Sequence, residues 1–71
     1  YKTLLQEFVQ RDGDKHIVYN LIGEAGPDHA KTFTMEVSID GVNYEAGSGK
    51  SKKIAEQHAA QLTLERLMAA I

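Results

Sequence analysis

The stretch "FTMEVSID", Phe33 to Asp40, most constrains what this chain can fold into. Phe33, Met35, Val37 and Ile39 alternate with Thr34, Glu36, Ser38 and Asp40, and a period of two gathers the apolar set on one face of a β-strand. Asp40-Gly41 follows, the pair that a type I′ turn favours because both central residues need positive φ. "VNYEA", Val42 to Ala46, then reads as the returning strand, with Val42, Tyr44 and Ala46 directed inward. A two-stranded hairpin is at best marginal in water. The rest of the chain must cover its apolar face.

Two helical patterns are available for that task. In "YKTLLQEFVQR", Leu4, Leu5, Phe8 and Val9 form an apolar stripe, while Thr3, Gln6, Glu7 and Gln10 share the opposite, polar face. Thr3 and Gln6 also have the spacing of a capping box. "DGDK", Asp12 to Lys15, ends this helix as a polar loop. At the other end of the chain, Ser51 is placed to cap a helix running to the C-terminus, with Ala55, Ala59, Ala60, Leu64, Leu67 and Ile71 as a broad apolar face. Between the first helix and the hairpin, His16 to Ala25 is rich in β-branched and aromatic residues and reads as a strand. "GPDHA", Gly26 to Ala30, marks a turn after it. The order is α-β-β-β-α, an α+β class domain. Three antiparallel strands with both helices on one face is the economical arrangement.

Seventy-one residues allow a single domain, 1–71. Without cysteine there is neither a disulfide nor a thiolate metal site to hold a small core, so modest stability is expected. No apolar run approaches membrane-spanning length and no signal-peptide pattern opens the chain; a cytoplasmic location is a separate expectation. The sequence starts within a helical pattern and without methionine, as a domain cut from a longer protein would.

Net charge is −2, but its distribution matters more than its sum. Lys2, Arg11, Lys15 and Lys31 face eight carboxylates in residues 1–49, whereas Lys50, Lys52, Lys53 and Arg66 face only Glu56 and Glu65 thereafter. Three cations therefore crowd the start of a helix, where the macrodipole is already positive and each costs about 0.3–1 kcal/mol. Such a concentration suits an extended anion. "GSGKSKK", Gly47 to Lys53, resembles the end of a phosphate-binding loop, but the opening position of that motif falls on Tyr44, and the chain lacks a parallel sheet. Gly47 and Gly49 are read as letting a backbone approach a bulky anion. "DGDK" lacks the glycine that an EF-hand needs at its sixth position, no spacing suggests a metal site, and His16 and His58 are read as structural.

Two motifs carry a family resemblance. "GPDHAKTF" fits G-P-x-H-x-x-x-F, and "GSGKSKKIAEQHAA" fits the lysine-rich second-helix motif, of double-stranded RNA-binding domains. Essentially the whole chain resembles that family, and "YKTLLQE" with "KSKKIAEQHAA" is most similar to the C-terminal domain of bacterial ribonuclease III. The resemblance implies three contacts to A-form RNA, whose shallow minor groove displays 2′-hydroxyls. Thr3, Gln6, Glu7 and Gln10 would meet one minor groove. Pro27, Asp28 and His29 would present a loop to the next. Lys50, Ser51, Lys52 and Lys53 would meet phosphates between them. It further implies a parent endonuclease that is a homodimer through another domain and uses Mg²⁺ held there. The domain itself should bind as a monomer, without catalytic residues of its own. A protein–protein or dimerisation module on the same fold is the competing expectation.

Overall fold

The computed structural model describes residues 1–71. It contains α1 (Lys2–Val9), β1 (Ile17–Ala25), β2 (Thr32–Ile39), β3 (Val42–Gly49) and α2 (Lys52–Ala69), with short 3-10 turns at Gln10–Asp12 and Asp28–Ala30. The strands form one antiparallel sheet in the order β1-β2-β3. α2 lies across β2 and β3, and α1 packs beside it. Leu5 and Val9 of α1 join Val37 and Ile39 of β2 and Ala59, Ala60 and Leu64 of α2 in one buried cluster. The expected α+β architecture is the observed one.

The hairpin turn forms as its sequence dictates: Asp40 and Gly41 have φ of 49° and 82°. β3 departs from simple alternation. Between the pairs Glu36–Ala46 and Ser38–Asn43 the register shifts, so that Tyr44 and Glu45 stand opposite Val37. This bulge carries Ala46 to the open face beside Glu36 and puts Gly47 on the helix face opposite buried Met35. Ala46 therefore does not point inward, and Val42, at the strand end, remains exposed. β3 also runs on to Gly49, past the expected stop at Ala46.

Gly47 and Gly49 are where α2 comes closest to the sheet. A Cβ on Gly47 would lie 2.6 Å from the His58 carbonyl carbon and against the Ala59 amide nitrogen. One on Gly49 would lie 2.9 Å from the Ala55 amide nitrogen. The expectation that these glycines admit an anion is thus corrected: they admit a helix backbone.

Three further expectations shift. Leu4 is exposed and takes no part in the apolar face of α1. Tyr1 is the N-cap of α1 and no side chain caps the helix, so Thr3 and Gln6 form no capping box. Ile71 lies past the end of α2 and is solvent-exposed. Ser51 does cap α2, its hydroxyl accepting from the Ile54 N–H at 3.1 Å.

The two sheet edges differ. On β3, the Glu45 N–H donates to Thr63 Oγ1 at 3.3 Å and the Ser48 N–H to His58 Nδ1 at 3.2 Å, both from α2. On β1, the Asp40 N–H donates to the His16 carbonyl, so alternation turns the N–H and C=O of Ile17, Tyr19 and Leu21 outward. No side chain hydrogen-bonds to them, although Lys2, Gln6 and Gln10 of the first helical segment lie beside Ile17 and Tyr19. A bulge at Ile22, between the pairs Leu21–Met35 and Gly23–Thr34, is the only irregularity along that edge.

Candidate nucleic-acid interface

Of the eight cations, Lys2, Lys31 and Arg66 are ion-paired, whereas Arg11, Lys15, Lys50, Lys52 and Lys53 are not. Lys2 pairs with Glu56 at 2.6 Å, Lys31 lies 3.5 Å from Glu24 and 3.8 Å from Asp28, and Arg66 pairs with Glu45 at 3.0 Å. Lys50, Lys52 and Lys53 are exposed and make no ion pair. With Ser51 capping the helix, the lysines flank a formed N-terminus whose partial positive charge adds to theirs. The Lys52 ammonium lies 5.9 Å from the centre of the Phe33 ring, directing it toward the start of β2.

That direction brings it to the β1–β2 loop. Gly26 takes φ of 94°, a conformation open to glycine, and Pro27 continues in extended geometry with φ of −72°. The loop closes through the Ala30 N–H, which donates to the Pro27 carbonyl at 2.9 Å. Asp28 and His29 are left exposed on a single 3-10 turn. Asp28, His29, Lys31 and Phe33 line one shallow cleft together with Lys50. The second and third groups of candidate residues are therefore contiguous. Lys31 and Phe33 are part of the same cleft. Sequence reasoning did not select them, although Lys31 lies three residues after Asp28, close enough in a single turn to pair with it.

The first group lies on α1. Thr3, Gln6 and Glu7 are exposed on the helix itself. Gln10 falls in the 3-10 turn that follows, and its side-chain amide donates to the Lys15 carbonyl at 3.2 Å. α1 is fixed to the first turns of α2 by the Lys2–Glu56 pair and by the Lys2 N–H, which donates to Gln57 Oε1 at 3.3 Å. The same Lys2 ammonium lies 4.8 Å from the centre of the Tyr19 ring. Burial, and secondarily the Glu56 carboxylate, raise the Tyr19 phenol above its ordinary value of 10.0.

The result is a polar helix face, a cationic helix tip and a loop closed by one backbone hydrogen bond, on a body 42 Å long and about 20 Å across. No group of three or more His, Asp or Glu side chains is arranged to hold a metal ion. No helix is long and apolar enough to cross a membrane.

This fold and this surface define a nucleic-acid-binding class. The family model of the double-stranded RNA binding motif matches residues 1–67, and the chain belongs to that family. Among individual proteins it is similar to ribonuclease 3 of Streptococcus thermophilus, 55% identical over 67 residues, which cover 94% of this chain and 29% of that protein. Ribonuclease 3 of Geobacillus thermodenitrificans is 50% identical over 70 residues, covering 99% of this chain and 28% of the relative. Ribonuclease 3 of Listeria monocytogenes is 50% identical over 68 residues, 96% of this chain and 30% of the relative. The chain thus spans less than a third of the length of these relatives.

Proposed function

We propose that this chain grips double-stranded RNA by its A-form shape and serves as the substrate-binding domain of a longer ribonuclease III-like endoribonuclease. The observation that carries the reading is the unpaired lysine trio on a capped, electropositive helix end, in a chain where Lys2, Lys31 and Arg66 are all engaged by carboxylates. Lys50, Lys52 and Lys53 meet phosphate oxygens as flexible point charges, which supplies affinity without base recognition. The Ser51 side chain holds the helix end that they flank.

Thr3, Gln6 and Glu7 address 2′-hydroxyls in one minor groove. Glu7, an acceptor only, selects ribose because a 2′-hydroxyl can donate to it and deoxyribose has none. Pro27, Asp28 and His29 enter the next minor groove, with the His29 ring as a donor. Gln10 contributes through its carbonyl oxygen and its second amide hydrogen, since the other already donates to the Lys15 backbone. The cutting chemistry belongs to a separate domain of the parent. On this reading that separate domain also holds Mg²⁺ and forms the homodimer. The parent acts in the cytoplasm.

The test is a salt titration of binding to duplex RNA and to duplex DNA of the same sequence. Tight, salt-sensitive binding to RNA with much weaker binding to DNA is expected. Equal affinity for both duplexes would overturn the reading.

A further inference from the structure

Beside the polar face of α1 lies a second groove, separate from the cleft at the β1–β2 loop. Gln6, Gln10, Lys15, His16, Tyr19 and Lys2 line it, and no carboxylate does. In a chain with ten acidic residues and net charge −2, a groove of this composition is a local exception. Its two lysines are not equivalent. Lys2 is neutralised by Glu56, whereas Lys15 is exposed and makes no ion pair.

The loop that carries Lys15 is anchored at both ends of this short stretch. Gln10 Nε2 donates to the Lys15 carbonyl at 3.2 Å. The His16 N–H donates to Asp40 Oδ1 at 2.8 Å, and the Asp40 N–H returns a bond to the His16 carbonyl at 2.9 Å. Asp40 therefore turns one carboxylate oxygen to the backbone of His16. Asp12 and Asp14 precede Lys15 in sequence but do not line the groove. A cation held in place by backbone bonds loses less freedom on binding than one on a free loop.

We infer that this groove is an additional phosphodiester-binding subsite, with Lys15 as its cation, His16 beside it and Gln6 forming the wall shared with the α1 face. The inference rests on the duplex-RNA reading above and extends it: the RNA strand that passes α1 continues along the groove toward the β2–β3 turn. Gln10 is then a positioning residue, because it fixes the Lys15 carbonyl.

The experiment compares this chain with Lys15→Ala, Lys15→Arg and Lys52→Ala, measuring affinity for one RNA duplex across a range of salt concentrations. Each lost phosphate contact lowers the log–log salt slope by about 0.9. Lys15→Ala is expected to reduce the slope by about that amount, Lys15→Arg to restore it, and Lys15→Ala with Lys52→Ala to reduce it about twice as much. Lys15 is exposed on a loop, so unchanged circular dichroism is expected for every variant. If Lys52→Ala lowers the slope and Lys15→Ala leaves it at the parent value, the subsite does not exist although the duplex reading stands. If the unsubstituted chain fails to bind duplex RNA at low salt, both readings fall together.

Discussion

The Lys2 ammonium lies 2.6 Å from a Glu56 carboxylate oxygen, and this pair joins the first turn of α1 to the first turns of α2. Its partners are 39% and 23% exposed, so it acts less as a store of stability than as a spacer. It holds the polar face of α1 at a fixed offset from the lysines of the α2 tip, the two surfaces that a rigid duplex would have to meet together. A double-mutant cycle of Lys2→Ala and Glu56→Ala should return a coupling of about 0–1 kcal/mol by thermal unfolding. RNA affinity should fall further than that coupling implies, because the offset is lost. A coupling of several kcal/mol would show that the pair is a structural keystone.

Gly47→Ala should strongly destabilise the fold. The added methyl meets main-chain atoms of His58 and Ala59, which cannot rotate out of its way. Overpacking of this kind costs about 1–3 kcal/mol, and a domain of this size loses about 4–8 °C in Tm per kcal/mol. A Tm within a degree of the parent would contradict the close seating of α2 on β3.

Ser51→Ala and Thr3→Ala separate a formed cap from one that only the spacing suggested. Loss of the Ser51 hydroxyl removes the bond to the Ile54 N–H and should cost about 1 kcal/mol. Thr3 is exposed and caps nothing, so Thr3→Ala should leave Tm unchanged while weakening duplex RNA binding. Calorimetry with a binding titration on the same samples reads both effects.

Tyr19 predicts an alkaline limb in stability. Its folded-state pKa is raised, first by burial and then by Glu56, above the unfolded value of 10.0. The unfolded chain therefore releases the phenolic proton first. The stabilisation is complete below pH 10 and is lost as pH rises from there through the folded pKa. Tyr19→Phe should remove that part of the loss, and Glu56→Gln should reduce it. Ultraviolet titration of the phenolate beside unfolding curves checks the sign.

Lys53→Ala should weaken binding to duplexes of unrelated sequence by the same factor and lower the salt slope by about 0.9, with Tm unchanged. A loss confined to one sequence would mean that the lysine contacts base edges.

Much of this was legible from the sequence because local signals agree with the fold. The Phe33–Ile39 alternation, the Asp40-Gly41 turn and the Ser51 cap each specify their own geometry from adjacent residues. What failed to read through was tertiary. The bulge at Tyr44–Glu45 reverses the faces of β3 after two residues, and nothing in "VNYEA" announces it. Gly47 and Gly49 carry no mark of whether a ligand or a helix approaches them; only the position of α2 decides. Gln10 stands on the helical period of α1, yet the chain has already tightened into a 3-10 turn there, turning its amide to Lys15. Among the candidate residues, the concentration of charge at Lys50, Lys52 and Lys53 was visible in the sequence, though charge alone did not distinguish an anion site from a solvated turn. That none of the three is ion-paired depends on where Glu24, Glu45 and Glu56 fold, beside other cations.

The unequal flanks of the sheet give this small protein a preferred direction of failure. With the Glu45 and Ser48 N–H groups of β3 taken by Thr63 and His58, strand addition in crowded or partly unfolded samples is expected to start at Ile17–Leu21, a run without charge or proline. A single gatekeeper on that strand, Asn20→Lys, is therefore the substitution of choice for keeping concentrated preparations clear.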